Sequence, residues 1–467
     1  MSRTRKVFLN SAILTIQQVL LNIISIFIVG YTARKLGHED YGIYSLAFAF
    51  QAIFLFLGSF GLRPLTIREL ARNREAAFDF LGKIIPARII FIGLMVITVI
   101  LSAFLLDYDR RIIVAIVITI GGCVFDQLSR IILDVFQAFE EMGKVAIRDI
   151  IVRIFTAIAT VAILLVGYGL YHVCFVYTAG ALLGLIINIY LYLKRFPCPR
   201  IIFDYDFIRI SVKEGGSYLV IGLASVLYTK IDVVLLSKMT DNATVGIYSA
   251  SANLFYRLNF IADAIATAVF PAVSQLYWTD KVEANNVFSK SFFAIVLISV
   301  PVTVGGLILS DELITFIYGN SYHGTVRIFA IMVCSIPFLF LSTLFNFTLG
   351  AIGEQRFVAK VLVATTAVNL ILNIIFISLF GPEGAAGALL LTHLLCFFAL
   401  WVGIRNYLSL KLSLKQIISV LLSVVVLAVV TYLLKPIGIL ITIPTAVLVY
   451  YICLRVTGVY RLRFDYC

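Results

Sequence analysis

The tetrapeptide GIYS occurs twice in the 467-residue chain, at residues 42–45 and 246–249. The first copy ends the string ARKLGHEDYGIYS at 33–45, and the second ends LSKMTDNATVGIYS at 236–249. Each string joins the end of one hydrophobic segment to the start of another, so the likeness covers a whole helix-loop-helix junction. A repeat of this kind predicts that the fold is built from a duplicated helical unit.

The composition places the duplicated unit in a membrane. Hydrophobic residues make up 61% of the chain, charged residues 13%, and the mean hydropathy is +1.04, which is too apolar for a protein surface in water. A helix needs about 20 mainly apolar residues to cross the hydrocarbon, and windows of that length predict about fourteen spans. These lie near residues 10–33, 41–62, 84–106, 112–136, 147–166, 170–193, 215–237, 245–269, 288–309, 325–349, 357–380, 385–406, 414–434 and 438–456.

The spans predict an all-α polytopic membrane protein with two lobes. Each half has an even number of spans, so both halves enter the membrane in the same orientation, as parallel repeats about an axis along the membrane normal. The predicted lobes are six-helix bundles at 1–196 and 214–410, joined by a cytoplasmic linker at 197–213. Two additional helices and a cytoplasmic tail follow at 411–467. A cleft between the lobes is the expected transport pathway.

Lysine and arginine are distributed unevenly over the short connections. Roughly 24 lie on the side that carries both chain ends and roughly 6 on the other, which predicts that both termini are cytoplasmic in a multi-pass protein of the cell membrane. The net charge of +12 is then mostly loop charge beside anionic lipid, and no nucleic-acid partner is predicted.

Polar side chains form stripes inside several predicted spans, where such groups face protein or water rather than lipid. Interhelical hydrogen bonding is the simpler explanation for any single serine or threonine. Stripes that coincide on the repeat-related first and seventh spans, with another on the eighth, favour a hydrated cavity instead. The predicted polar lining of this cavity is Gln18, Asn22, Asn253 and Tyr256.

Three basic residues within the spans are candidate contacts for an anionic substrate group, namely Arg88, Lys230 and Arg257. A guanidinium offers bidentate donors to phosphate, and lysine offers a mobile point charge. For Lys230 and Arg257 the alternative is a salt bridge to Asp232. Arg88 is expected to be a cavity cation if no carboxylate reaches it, and the alternative is that it snorkels to the interface. Asp232 and Asp263 are the candidates for coupling to H⁺ or Na⁺.

A second charged cluster lies toward the predicted cytoplasmic side of the fourth and fifth spans. Its members are Asp126, Arg130 and Asp134 on one helix, and Arg148, Asp149 and Arg153 at the start of the next. Facing charges of this kind can close a cytoplasmic gate. They can equally lock the helical hairpin, since partners four residues apart on one helix satisfy each other locally.

Catalytic motifs are missing from the sequence. It contains no GxxxxGK[ST] phosphate loop, HExxH or CxxC, so no enzyme activity, resident cofactor or metal site is predicted. A membrane glycosyltransferase, ligase or polymerase would be expected to carry a large external loop with charged catalytic residues, and all the predicted external connections are short. A transporter is therefore the preferred class.

Six strings, taken in order, resemble a known family. They are ARKLGHEDYGIYS, LRPLTIRELA, KIDVVLLSKM, VGIYSASANL, FPAVSQL and FGPEGAAGALL. Together they resemble the polysaccharide transporters of the multidrug/oligosaccharidyl-lipid/polysaccharide (MOP) superfamily, which include Wzx-type repeat-unit flippases. The resemblance implies a V-shaped pair of bundles that alternates between inward-open and outward-open states. It also implies export of a polyprenyl (undecaprenyl) pyrophosphate-linked oligosaccharide for O-antigen, capsule or exopolysaccharide synthesis.

The resemblance further implies residue roles and partners. It matches Asp232 to the family's aspartate in the seventh helix, and Pro271 to its Phe-Pro at the end of the eighth. The sugar and pyrophosphate would enter the cationic cleft while the polyprenyl tail stays in lipid, between helices such as the first and eighth. Membrane lipids, a polysaccharide polymerase and chain-length proteins are the other expected partners. A lipid II flippase and a cation antiporter of the multidrug and toxic extrusion class remain alternatives.

Overall fold

The computed structural model describes the backbone at residues 3–72, 77–410 and 413–457, and the side chains at 24–72, 78–216, 219–410 and 413–457. Within these ranges the structure is helical and has no β-strand, so the all-α prediction is confirmed. Ten of the described helices are long and apolar enough to cross a membrane, or up to eleven with one bent pair. The chain is thus a multi-pass membrane protein, and the count of about fourteen spans stays a prediction.

The described residues form two compact units, Met1–Ser249 and Ala250–Cys467. The helices of the first unit are α1 (Arg3–Ser59), α2 (Leu62–Arg72), α3 (Ala77–Leu105), α4 (Arg110–Ala138), α5 (Met142–Leu165), α6 (Leu170–Leu193), α7 (Tyr205–Met239) and the start of α8 (Asn242–Leu258). The second unit contains the end of α8 and then α9 (Phe260–Thr279), α10 (Lys281–Ile308), α11 (Ser310–Tyr318), α12 (Thr325–Val333), α13 (Ile336–Ala351), α14 (Gln355–Ile404), α15 (Leu414–Leu434) and α16 (Ile439–Val456).

Several predicted loops are single-residue breaks in the structure. The helix α1 covers the first two predicted spans and breaks at Gly37, with φ 75° and ψ 176°. The helix α14 covers the eleventh and twelfth spans and breaks at Gly381, with φ 60°, just before Pro382. Positive φ is strained for residues with a Cβ and open to glycine. The predicted loops at these two places were therefore too long, because one glycine is enough to interrupt the helix.

The core of the first unit holds α2, α3 and α4 together. Leu70, Ile84 and Phe136 are buried in one apolar cluster, and α7 packs along the second half of α1. The division between the compact units at residue 249 follows from this packing, because it groups α7 and the start of α8 with the preceding helices. The lobe boundaries predicted at 196 and 214 stay a prediction about the repeat in the sequence.

The two additional C-terminal helices belong to the core of the second unit. Phe293 on α10 packs against Val424 on α15 and Tyr450 on α16, and the Tyr450 hydroxyl donates a hydrogen bond to the carbonyl of Leu297 at 3.0 Å. Beside this contact lies an apolar cavity of about 410 Å³, bounded by α8, α10, α12, α15 and α16. The cavity has the chemistry of a hydrocarbon chain rather than of a sugar.

Candidate functional site

Four glycines bring α1 into direct contact with α7 and α8, and we call this contact the glycine seam (Gly42, Gly215, Gly222 and Gly246). At its predicted external end the glycines of the two GIYS motifs meet. A Cβ on Gly42 would lie 1.8 Å from the carbonyl oxygen of Asn242, and a Cβ on Gly246 would lie 2.1 Å from that of His38. Only glycine allows helix backbones to approach so closely, so the repeated motif marks the point where the backbones of α1 and α8 meet.

The other end of the glycine seam is equally tight. A Cβ on Gly222 would lie 2.2 Å from the ring of Phe56, and a Cβ on Gly215 would lie 2.4 Å from the carbonyl oxygen of Phe60. The second half of α1 therefore contacts the second repeat near both predicted membrane surfaces.

Polar contacts surround the predicted external end of the seam. Lys238, at the end of α7, lies 3.6 Å from the ring centroid of Tyr108 and donates a hydrogen bond to the carbonyl of Leu106. Arg111, at the start of α4, pairs with Glu39 at 2.8 Å and with Asp40 at 2.5 Å. Both acidic residues lie just after the break in α1 at Gly37. These side chains tie α7 to the loop between α3 and α4, and tie the turn in α1 to the start of α4.

Asp232 is buried, with 3% of its surface exposed. Its carboxylate accepts a hydrogen bond from the hydroxyl of Tyr248 and another from the backbone N–H of Val233 at 2.8 Å. Tyr248 belongs to the second GIYS motif, so the motif supplies a partner for the predicted coupling residue as well as the crossing glycine. Sequence reasoning missed this role, although the duplicated tyrosine was the available signal.

Asp134 is the centre of a buried ion-pair group. It pairs with Arg63 of α2 at 2.7 Å and with Arg88 of α3 at 3.5 Å, and the side chains of Arg88 and Asp134 are 1% and 0% exposed. The expected role of Arg88 as a cavity cation was wrong, because a carboxylate does reach it. The expected local partner of Asp134 on α4 was wrong too, since both of its arginines come from other helices.

The rest of the predicted cytoplasmic cluster surrounds a small polar cavity of about 180 Å³, which we call the arginine pocket. Its polar lining is Arg63, Asp126, Arg130, Gln137, Arg148 and Asp149. The predicted pairing of Arg130 with Asp126 along α4 is confirmed, at 3.6 Å. Arg153 is exposed and is not part of the pocket lining, whereas Arg148 is.

Arg148 is fixed in the arginine pocket by contacts from three helices. Its guanidinium pairs with Asp149 at 2.9 Å and Asp126 at 3.4 Å, and donates to the hydroxyl of Ser129 at 3.1 Å. A Cβ on Gly184 of α6 would lie 2.3 Å from its Nη2, so the missing side chain makes room for the guanidinium. No pattern in the sequence indicated this contact between Gly184 and Arg148.

The remaining predicted site residues lie in both units. Lys230 in the first unit and Asn253, Tyr256 and Arg257 near the end of α8 are half-buried, as cavity-lining groups would be. Asp263 accepts a hydrogen bond from Asn259 at 3.2 Å. The side chains of Gln18 and Asn22 lie outside the described residues. The described part of the chain contains no group of three or more histidine, cysteine or acidic side chains that could hold a metal ion.

The amino-acid sequence matches the profiles of two known protein families. The sequence profile of the polysaccharide biosynthesis protein family matches residues 7–277, more than half of the chain. The chain belongs to this family. A second family profile, MatE, matches residues 219–375. The resemblance to the MOP superfamily predicted from the sequence strings is thus confirmed.

Two curated relatives are similar over most of their length. A probable low-salt glycan biosynthesis flippase, Agl15, from Haloferax volcanii is 24% identical over 83% of this chain and 81% of its own. A putative O-antigen transporter from Shigella flexneri is 25% identical over 78% of this chain and 89% of its own.

Among solved structures, the lipid II flippase MurJ in an inward closed conformation matches with a TM-score of 0.80. The identity is 19%, and the match covers 96% of this chain and 99% of that one. An inward-facing multidrug resistance MATE transporter of the MOP superfamily matches with a TM-score of 0.66 at 12% identity, over 84% of this chain and 97% of the other. These likenesses establish the fold.

Proposed function

We propose that this protein is a flippase that moves a polyprenyl diphosphate-linked oligosaccharide from the cytoplasmic to the external leaflet. The observation that carries the proposal is the similarity, over about four-fifths of both chains, to a relative named as a glycan biosynthesis flippase. The similarity to a putative O-antigen transporter supports the same substrate class. Both chain ends would be cytoplasmic, and a polymerase with its chain-length proteins would use the exported product.

The physical problem for such a flippase is the charged head of its substrate. A diphosphate and its sugars cannot cross hydrocarbon unaided, because burying unpaired charge is prohibitively unfavourable. Lys230 and Arg257 are half-buried on membrane-spanning helices and would contact the diphosphate along a hydrated route. The tail would stay in an apolar environment, and the 410 Å³ cavity beside α15 and α16 suits a hydrocarbon chain.

Alternating access requires a contact between the repeats that opens on one side at a time. The glycine seam has the required form, since it has tight backbone contacts at Gly42 and Gly246 toward one predicted surface and at Gly215 toward the other. Opening either end would admit or release the head group. Tyr248 lies two residues from Gly246, so rearrangement of that end would also change the environment of Asp232.

Coupling to H⁺ or Na⁺ through Asp232 or Asp263 is part of the proposal. Asp232 is the stronger candidate of the two, because its buried carboxylate accepts a hydrogen bond from Tyr248 of the second GIYS motif. In vesicles, wild-type transport should depend on an imposed ion gradient and Asp232→Asn transport should not. Equal gradient dependence in both proteins would remove Asp232 from this role.

Export of surface polysaccharide tests the proposed cavity cations. Lys230→Ala and Arg257→Ala should each reduce export in a strain that lacks its own flippase, with the protein still inserted in the membrane. Lys213→Ala, an exposed lysine before the α7 span, is the matched control and should leave export unchanged. Full export by the Lys230→Ala/Arg257→Ala double variant would contradict the proposed route.

A further inference from the structure

The arginine pocket carries more positive charge than its own carboxylates balance. Arg63, Arg130 and Arg148 line it together with Asp126 and Asp149, which leaves an excess of one positive charge. The neighbouring Arg88 and Asp134 add one charge of each sign and leave that excess unchanged. The charged side chains of the pocket are 8–41% exposed, so the excess positive charge lies where an anion can reach it from water and is attracted to it.

Two of these arginines also have an N–H donor that makes no hydrogen bond to the described residues. The Nε atoms of Arg130 and Arg148 are buried and have no hydrogen-bond partner among the described residues. The Arg148 side chain is only 8% exposed, so water reaches little of it. Buried N–H groups are nearly always hydrogen-bonded, so each of these two guanidiniums keeps one donor for an acceptor group, which a rotation of the guanidinium toward the cavity would bring into contact.

The size and position of the arginine pocket limit that ligand. Its volume of about 180 Å³ equals that of about six water molecules, which is room for a phosphate or diphosphate group and too little for an oligosaccharide. Arg130 lies eight residues before the end of α4 at Ala138, about 12 Å along the helix. The pocket is therefore within reach of the predicted cytoplasmic headgroup layer.

We propose that the arginine pocket is a binding site for a phosphate-bearing group at the predicted cytoplasmic end of the first unit. Planar guanidinium groups match phosphate oxygens in geometry and charge. Asp126 pairs with Nη2 of Arg130 and of Arg148, and Asp149 pairs with Nη1 of Arg148. The Nε–H groups of both arginines are therefore not used by these carboxylates. The ligand is the diphosphate of the transported lipid or the phosphate of a membrane lipid. Assignment to the transported lipid rests on the proposed function, whereas binding itself does not.

The test is calorimetric titration of inorganic diphosphate into the full-length protein in nanodiscs of zwitterionic lipid. We expect saturable binding by the wild type and affinity at least about ten-fold lower for Arg130→Gln, the effect of losing one charged hydrogen-bond donor group. Arg72→Gln, at an exposed arginine at the end of α2, makes the same change in charge outside the pocket and should bind as the wild type does.

A second variant perturbs the arginine pocket without changing charge. Gly184→Ala introduces a Cβ 2.3 Å from Arg148 Nη2 and should weaken binding, whereas Gly93→Ala, where no atom lies within 4 Å of the added Cβ, should not. Far-UV circular dichroism confirms that each variant is folded. Equal affinity in the wild type and both pocket variants, or no binding by the wild type, would overturn the proposal.

The lipid composition of the nanodisc separates the two sources of phosphate. If membrane lipid occupies the arginine pocket, replacing zwitterionic lipid with phosphatidylglycerol should lower the affinity for diphosphate by competition, in the wild type and not in Arg130→Gln. Unchanged affinity would assign the pocket to the transported lipid. If the protein transports the lipid-linked oligosaccharide in vesicles but does not bind inorganic diphosphate in the titration, the proposed binding site is refuted and the proposed flippase function is not.

Discussion

Replacing a glycine at one end of the glycine seam should shift the protein toward states in which that end is open. In Gly42→Ala the new Cβ would lie 1.8 Å from the carbonyl oxygen of Asn242, whereas real Cβ contacts are essentially never shorter than 3.0 Å. The obstacle is backbone, so α1 and α8 have to separate by at least about 1 Å. Overpacking of this kind costs about 1–3 kcal/mol, which changes the ratio of closed to open molecules about 5- to 150-fold.

Spin labels at Glu39 and Ala243, in a background without the native cysteines, report this separation by double electron–electron resonance. We expect Gly42→Ala to populate a longer distance than the wild type and to reduce transport. Gly93→Ala, which meets no neighbour within 4 Å, should do neither. Gly215→Ala acts at the other end and should leave the external distance unchanged or shorter. Identical distance distributions for Gly42→Ala and the wild type would refute the assignment of the seam as the moving contact.

Three further outcomes follow from side-chain contacts. Asp134→Ala leaves Arg88 buried without its carboxylate, so the free energy of unfolding should fall by about 3–5 kcal/mol; an unchanged melting temperature in detergent would contradict the pairing. Tyr248→Phe removes a hydrogen bond to a buried carboxylate and should lower the free energy of unfolding by about 1.5–3 kcal/mol. Lys83 donates a hydrogen bond to the carboxylate of Asp204 at 2.8 Å, which lowers the pKa of Asp204. Asp204→Asn should therefore be less stable than the wild type above about pH 4, and the difference should disappear as the pH falls through the lowered pKa; a difference that does not vary with pH would exclude this ion pair.

The sequence was sufficient for the features that depend on composition and local pattern. Apolar windows located helices at every described span, and the duplicated GIYS motif pointed to the place where Gly42 and Gly246 meet. The motif could not indicate what it contacts, because a glycine selected for close packing has the same sequence signal as one in a turn. The loop predicted between the spans at 10–33 and 41–62 was too long, because the sequence does not show that Gly37 alone interrupts the helix.

Pairing between helices was the least predictable property. Arg130 and Asp126 are neighbours on one helix, and spacing alone predicted their contact. Asp134 has the same spacing to Arg130 but pairs with Arg63 and Arg88, since tertiary packing brings those guanidiniums closer. Charge partners that come from different helices depend on the folded arrangement, and no local pattern specifies them.

Translocation by the purified protein is the most direct test of the proposed function. The protein would be reconstituted into vesicles whose polyprenyl diphosphate-linked oligosaccharide is accessible on one side only, and a membrane-impermeant glycosidase would report arrival of sugar on the other. Lipid II and a cationic drug, each in a parallel experiment, test the two alternative functions. We predict that the oligosaccharide lipid crosses faster in vesicles with the wild type than in protein-free vesicles, and that the Lys230→Ala/Arg257→Ala variant is slower than the wild type. A rate equal to that of protein-free vesicles would contradict the account.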